Sequence, residues 1–285
     1  MEQGLTTPRT LGRTGLAVGP LGFGASYSAP AAAYEAAFER GCNYFWWGAM
    51  RRRLMARAIR NLAARGRREK LVVAAHSFAR TPALVRTSVE RALRQLGLDY
   101  VDILVLGYQA APPPPPVIDA VGASIDAGLV RHLGLSGHNR ALLARLAPDR
   151  RFGVFHVRYS AAHPGAERDF FSALGPDRPG VVAFTSMDYG RLLDPRITPA
   201  GERTPRASDC YRFALSHPAV DAVAAGPNST REMDEALKAL EEGPLTADES
   251  AWMRRVGAAA YAHNGRGLGR IMLRGVGSFL RRWVE

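Results

Sequence analysis

PALVRTSVERALRQLGLDYVDILVL, residues 82–106, carries one complete helix-to-strand passage, and its reading decides the fold. Thr81 ahead of Pro82 supplies an N-cap with proline at the first helical position, where a missing N–H removes no bond. Helix-period spacing then runs to Leu96, and Gly97 stands where a left-handed C-cap is wanted. The short apolar run VDILVL (101–106) reads as a buried strand. Seven further apolar runs alternate with helical segments in the same way: LGFGAS (21–26), NYFW (43–46), LVVAA (71–75), HLGLS (132–136), VFHVRY (154–159), VVAFTS (181–186) and VDAVAAG (220–226). The intervening helices are expected over 31–40, 51–64, 117–127, 140–146, 167–174, 208–215 and 230–240. Repeated βα units imply a parallel sheet, and eight strands favour closure into a (β/α)₈ TIM barrel of the α/β class over an open sheet.

Barrels of this kind form one domain around one core at about 250 residues, so a chain of 285 is read as a single domain over 1–285. The barrel takes about 20–245, and a helical extension takes 246–285. Hydrophobic residues at 47% and charged residues at 22% supply a core and exclude wholesale disorder. The formal charge of +12 raises nucleic acid as a partner. That reading is set aside, because the charge is almost all arginine scattered through Ala-, Gly- and Pro-rich sequence, with lysine only at Lys70 and Lys238. An anionic small molecule fits the charge better. Two cysteines, Cys42 and Cys210, exclude a disulfide framework and a four-thiolate zinc site, and no other metal-ligand spacing stands out. The N-terminus lacks a secretory apolar core and no run reaches the roughly 18 residues of a membrane span, so the expectation is a cytoplasmic protein.

Three segments read as connections or appendages. The five prolines 112–116 are expected to form a stiff polyproline loop after the fourth strand, not helix. Residues 191–207, rich in Pro, Gly and Arg, are expected to be a mobile loop after the seventh. Thr246 with Glu249 has capping-box spacing and opens a helix to His263, followed by a basic amphipathic segment carrying Leu268, Ile271, Met272, Val276, Phe279 and Trp283, expected to pack on the barrel.

Several of these segments resemble the aldo-keto reductases: TLGRTGLAVGPLGFGAS (10–26), GCNYF (41–45), LGLDYVDILVL (96–106), GLVRHLGLSGHN (128–139) and SHPAVDAVAAGPNSTREMDEAL (216–237). Their order and spacing match the eight units found independently, over roughly residues 10–245. The resemblance implies a barrel with an N-terminal hairpin and extra C-terminal helices, hydride transfer from a nicotinamide cofactor to a carbonyl, and four catalytic groups at the C-terminal mouth. A Tyr donates the proton, a Lys lowers its pKa, an Asp pairs with the Lys, and a His orients the carbonyl. None of the four stands at its position. Trp46 replaces the Asp and no Tyr follows in FWWGAMR (45–51), His76 replaces the Lys, and Gly107 replaces the His.

Strand C-termini face the ligand in such barrels. His76 is therefore the catalytic candidate, the only ionisable replacement in the lost set, with Tyr44, Trp46, Trp47, Tyr108 and His138 as pocket candidates and Arg158, Tyr159 and Asp188 nearby. The cofactor positions that the resemblance implies survive in part. Ser136 is retained, His156 stands for a carboxamide-binding Gln, and Phe184 stands where an aromatic ring stacks on the nicotinamide. The loop Gly226, Asn228, Ser229 and Thr230 offers a helix N-terminus to phosphate, with Arg231 and Glu235 beside it and Glu232 where an Arg is usual. The expected cofactor is NADP. The expected function is an NADP-binding, reductase-like protein acting on a small-molecule carbonyl with a non-standard proton donor. The alternatives are a silent ligand-binding or regulatory protein, or a lyase or isomerase in the same mouth.

Overall fold

The computed structural model describes residues 5–24, 27–48 and 53–263. A hairpin of β1 (Arg9–Thr10) and β2 (Ala17–Val18) precedes the barrel strands β3 (Leu21–Gly24), β4 (Tyr44–Trp47), β5 (Val72–Ser77), β6 (Val101–Leu106), β7 (Val130–Gly137), β8 (Phe152–Arg158), β9 (Gly180–Phe184) and β10 (Ala222–Ala225). These eight pair in parallel in chain order, and β10 closes on β3 through Val223↔Leu21 and Ala225↔Phe23. Around them lie α1 (Ala31–Glu39), α2 (Arg53–Ala64), α3 (Pro82–Leu96), α4 (Pro115–Asp126), α5 (Arg140–Leu146), α6 (Ala166–Asp169), α7 (Ala207–Leu215) and α8 (Thr230–Glu242), and α9 occupies 247–263.

The local signals act as their chemistry requires. Thr81 Oγ1 accepts from Leu84 N at the start of α3, and Gly97 ends it at φ 63°. At α9 the Thr246 N–H donates to Glu249 Oε2 (2.9 Å) while Glu249 N donates to Thr246 Oγ1 (3.2 Å), a reciprocal capping box.

The pleat sorts side chains into two layers. Val72, Ala74, Ile103, Val105, Val154, Val182, Ala222 and Tyr44 fill the barrel interior. Phe23, Phe45, Trp47, Val73, Leu104 and Leu106 face outward into the helical shell. Leu11 and Val18 of the hairpin region join the interior set, stopping the N-terminal end of the barrel. Two buried carboxylates hold that end. Asp102 accepts from Val73 N (2.8 Å), Arg68 (2.9 Å) and Arg131 (3.2 Å), and Asp221 accepts from Val181 N (2.9 Å) and both Arg178 Nη atoms (2.8 and 2.6 Å). With the lower end closed, the C-terminal mouth is left for ligand.

Four expectations are corrected. Helix α4 begins inside the proline run, at Pro115, because the first helical residues need no N–H and proline's fixed φ suits them. The helix expected from 208 starts one residue earlier, as α7 at Ala207, where the Asp209 carboxylate accepts from Arg206 N (2.8 Å) to cap it. The helix expected over 167–174 shortens to α6 plus a 3₁₀ turn at Phe171–Ala173. The loop 191–207 is tied down, with Trp252 Nε1 donating to Arg203 O (3.0 Å) and the Arg203 guanidinium 3.9 Å above the Trp252 ring. The amphipathic segment 268–283 lies outside the described residues. Among the described residues, no helix is long and apolar enough to cross a membrane and no group of His, Cys, Asp and Glu is gathered as a metal site.

Candidate ligand site at the barrel mouth

Five rings contributed by five strands or their following loops close a circuit across the mouth. Ring centroids lie 5.4 Å apart for Trp46–His76, 5.6 Å for His76–Tyr108, 5.8 Å for Tyr108–His138, 5.7 Å for His138–Phe184 and 5.9 Å for Phe184–Trp46. Phe78 adds an edge contact to His76 at 4.5 Å. Each such pair adds about 0.5–1.5 kcal/mol beyond its burial, so the circuit fixes the rings mutually. Where the resemblance leads one to expect charged catalytic groups, these rings pack together as a plug.

His76 is locked within it. The Trp46 indole N–H, which can only donate, meets His76 Nδ1 at 3.1 Å, so the ring proton sits on Nε2. That Nε2–H is buried with no hydrogen-bond partner among the described residues. It lies against Gly107, where a Cβ would overlap the imidazole. Loss of the side chain at 107 and gain of a ring at 76 are therefore one packing change. Burial, and secondarily the Arg80 charge, lower the His76 pKa from 6.5 to about 4, so at neutral pH the ring is uncharged.

Beneath the plug, the Tyr44 hydroxyl and His156 Nε2 are 2.7 Å apart and wholly buried, and the His156 ring meets Trp46 edge-on at 4.2 Å. Burial drives the His156 pKa well below its ordinary value and the Tyr44 pKa well above, so both are neutral. Tyr44→Phe removes one half of this bond and should lower stability by about 1–2 kcal/mol in urea unfolding. A change under about 0.3 kcal/mol would mean the bond contributes nothing net.

The mouth candidates thus divide. Trp46, His76, Tyr108, His138 and Phe184 come together. Tyr44 and His156 are wholly buried below the circuit, with Trp46 edge-on to the His156 ring. Trp47 points outward into the helical shell, one pleat position from Trp46. Tyr159 likewise packs outward on Phe171 and Phe213, with its hydroxyl donating to Glu167 (2.7 Å). Asp188 is buried and engaged by His163 Nε2 (3.2 Å) and Arg191 (3.6 Å). Ser136 Oγ is buried with no hydrogen-bond partner among the described residues.

Beside the plug lies an open cleft of about 1130 Å³ between the loops after β9 and β10. Gly226, Asn228, Ser229, Arg231 and Glu235 line it. Thr230 is the first residue of α8, whose N-terminus Ser229 caps by accepting from Glu232 N (3.1 Å). Glu232 turns back to accept from Asn228 N (2.7 Å), occupying an amide that an anion would use. Glu235 pairs with Lys238 at 2.7 Å. Arg231 makes no ion pair or hydrogen bond among the described residues and remains exposed in the cleft.

Sequence reasoning missed Tyr27, Ser186 and Phe78. Tyr27 lines the cleft and lies so close to Gly226 that a Cβ there would overlap its ring. Ser186 Oγ is buried and has no hydrogen-bond partner among the described residues. Strain concentrates in the same place: Tyr108, Thr185, Asp188 and Tyr189 have φ of 49°, 60°, 48° and 57°. Left-handed backbone costs a non-glycine residue about 1–3 kcal/mol and persists where surrounding structure enforces it. No local sequence signal marks such positions.

A closed parallel barrel with a hairpin stopper and a cleft beside its C-terminal mouth defines a class of ligand-binding α/β barrels. The Aldo/keto reductase family model matches residues 17–207, and the chain belongs to that family. The fold is similar to aldo-keto reductase AKR11C1 from Bacillus halodurans. Its apo form matches at TM-score 0.72 and 23% identity and its holo form at 0.74 and 22%, each over 88% of this chain and 96% of that one. Rho crystallins of Rana temporaria and Aquarana catesbeiana are 33% identical over 86 residues, covering 23% of this chain. That match spans about a quarter (26%) of those curated relatives.

Proposed function

We propose that this protein binds a nicotinamide dinucleotide, NADP(H) ahead of NAD(H), in the cleft between the loops after β9 and β10, and does not carry out the family's acid-catalysed carbonyl reduction. The observation that carries the reading is the contrast between an open cleft with a capped helix N-terminus and unpaired Arg231, and a catalytic centre packed with uncharged rings. Arg231, Ser229 and the α8 N-terminus would hold phosphate, with Glu232 a counterweight that limits affinity. Phe184 and Ser136 would meet the nicotinamide end. A bound nicotinamide supplies hydride; the chain must supply a proton at the developing alkoxide, and neutral His76 with its N–H against Gly107 is a poor acid for that step.

A second reading rests on the same N–H. Because it has no partner among the described residues, neutral His76 is suited to polarise a carbonyl by hydrogen bonding if the plug opens. Titration of cofactor-stripped protein with NADPH, followed by fluorescence, should saturate, and Phe184→Ala and Arg231→Ala should each weaken it about 3–30-fold. NADPH consumption with a panel of aromatic and aliphatic aldehydes should stay at the no-enzyme rate. Absence of NADPH binding removes the proposal; turnover abolished by His76→Ala selects the second reading.

A further inference from the structure

The mouth carries a charge that the cofactor cleft does not use. Arg158 ends β8 with Val157 packed outward, so its side chain leaves the strand on the mouth side, in register with Phe184 of β9. It is partly buried, and among the described residues it makes no hydrogen bond or ion pair. Asp188, the buried acid of the neighbouring loop, is engaged by His163 and Arg191. A partly desolvated guanidinium without a carboxylate is a ready oxyanion fork, since its five donors match carboxylate geometry.

Next to it runs a row of nearly parallel rings. Phe78 and Tyr108 are 5.6 Å apart at 18°, and Tyr108 and His138 are 5.8 Å apart at 20°. Phe78 and Tyr108 are 51% and 49% exposed, unusual for large apolar side chains placed side by side. The row is held in place: Tyr108 sits at φ 49°, and the Arg80 guanidinium donates to the carbonyls of Gly107 (2.9 Å) and Tyr108 (3.4 Å). Arg158 is paired in register with Phe184, whose ring lies 5.7 Å from His138, so the end of β8 adjoins the end of the row; burial first and the Arg158 charge second lower the His138 pKa.

We propose that Phe78, Tyr108, His138 and Arg158 form a binding platform for a planar aromatic molecule bearing one carboxylate or equivalent oxyanion, its ring laid on the exposed faces and its anion on Arg158. The flat body follows from the parallel rings, and the negative charge follows from the unpaired guanidinium with Arg80 nearby. A cationic ligand is disfavoured by the same two arginines. The platform shares no residue with the proposed cofactor site, although His138 and Arg158 adjoin Phe184, and it does not rest on nicotinamide binding.

The test is a fluorescence titration of the whole, cofactor-free chain with 2-naphthoate, alongside neutral 2-naphthamide. Naphthoate should saturate below about 1 mM and bind about tenfold tighter than the amide, as one charge-assisted fork implies. Arg158→Gln should erase that preference, Arg158→Lys should keep part of it, and Tyr108→Ala should weaken both probes about three- to tenfold. Matching melting temperatures of variants and parent establish that they fold, and NADPH affinity of Arg158→Gln should equal the parent's. Equal affinity for naphthoate and naphthamide, unchanged naphthoate binding in Arg158→Gln, or no saturation by several millimolar overturns the platform. Naphthoate binding without NADPH binding would overturn the proposed cofactor and leave the platform standing.

Discussion

Lowering the pH from 7 to 4 is expected to remove on the order of 3 kcal/mol of folding stability through His76 alone, since its folded pKa is about 4 against 6.5 unfolded. Between those two values the unfolded chain binds a proton at this residue and the folded chain does not. The unfolded state therefore gains as pH falls, at up to about 1.4 kcal/mol per pH unit for one histidine. The contribution is full above pH 6.5 and lost toward pH 4. His156, buried with its pKa also well below the ordinary value, adds to the slope in the same direction. Urea unfolding at pH 7, 6, 5 and 4.5 measures it, with His76→Gln as the control that removes one titration while retaining an acceptor for the Trp46 indole. An equal slope in parent and variant would show that His76 protonates without penalty when folded, and would restore it as a candidate imidazolium acid. The same neutrality predicts no inflection from His76 between pH 5 and 8 in any NADPH oxidation that is found.

Gly107→Ala should destabilise by about 1–3 kcal/mol, a large effect for one methyl group at a strand end. The new Cβ would occupy the space of the His76 imidazole, forcing it from its rotamer and breaking the bond from Trp46 Nε1. Since Trp46 also touches Phe184 and His156, the disturbance should spread through the aromatic circuit. His76→Ala empties that space, so Gly107→Ala should cost at least about 1 kcal/mol less in the His76→Ala background than alone. Urea unfolding of the parent, both single variants and the double variant measures the coupling. Additive effects would show that the two positions do not share one packing solution.

Both results bear on function, because they concern what took the place of the family's catalytic groups. Where the resemblance leads one to expect Asp, Tyr, Lys and His, the mouth holds uncharged rings in mutual contact. The cleft beside it is open, and Phe78 and Tyr108 are about half exposed. On the proposed function, cofactor binding would stand without the hydride chemistry, and the NADPH titration and turnover assay test the two separately.

Much of this was legible in the chain. The eight βα units were readable because each is a local pattern: an apolar run, a turn residue, a helical period and a cap such as Thr81 or Thr246. The placement of Trp46, His76 and Gly107 at or beside strand ends was readable because the units fix where each strand stops. The proline run was misread because the rule that bars proline from helices does not apply to the first turn, and only the observed start at Pro115 tells the two cases apart.

Sequence by itself determined the number of units, their order, the closure they favour and the chemical types available at the mouth, since periodicity and residue identity are properties of short segments. Tertiary structure decided which neighbour each side chain met. Trp46 and Trp47 are adjacent and alike in composition, yet the pleat sends one into the mouth and the other into the shell. His76 became neutral because Gly107, Trp46 and Tyr108, from two other units, enclose it. Arg158 has no hydrogen-bond or ion-pair partner among the described residues, and Asp188 in the next loop is engaged by His163 and Arg191. The His76 and Asp188 outcomes depend on contacts such as Trp46–His76, His76–Tyr108 and His163–Asp188, made between different βα units, and a pairwise contact of that kind leaves no mark on the local pattern of either partner.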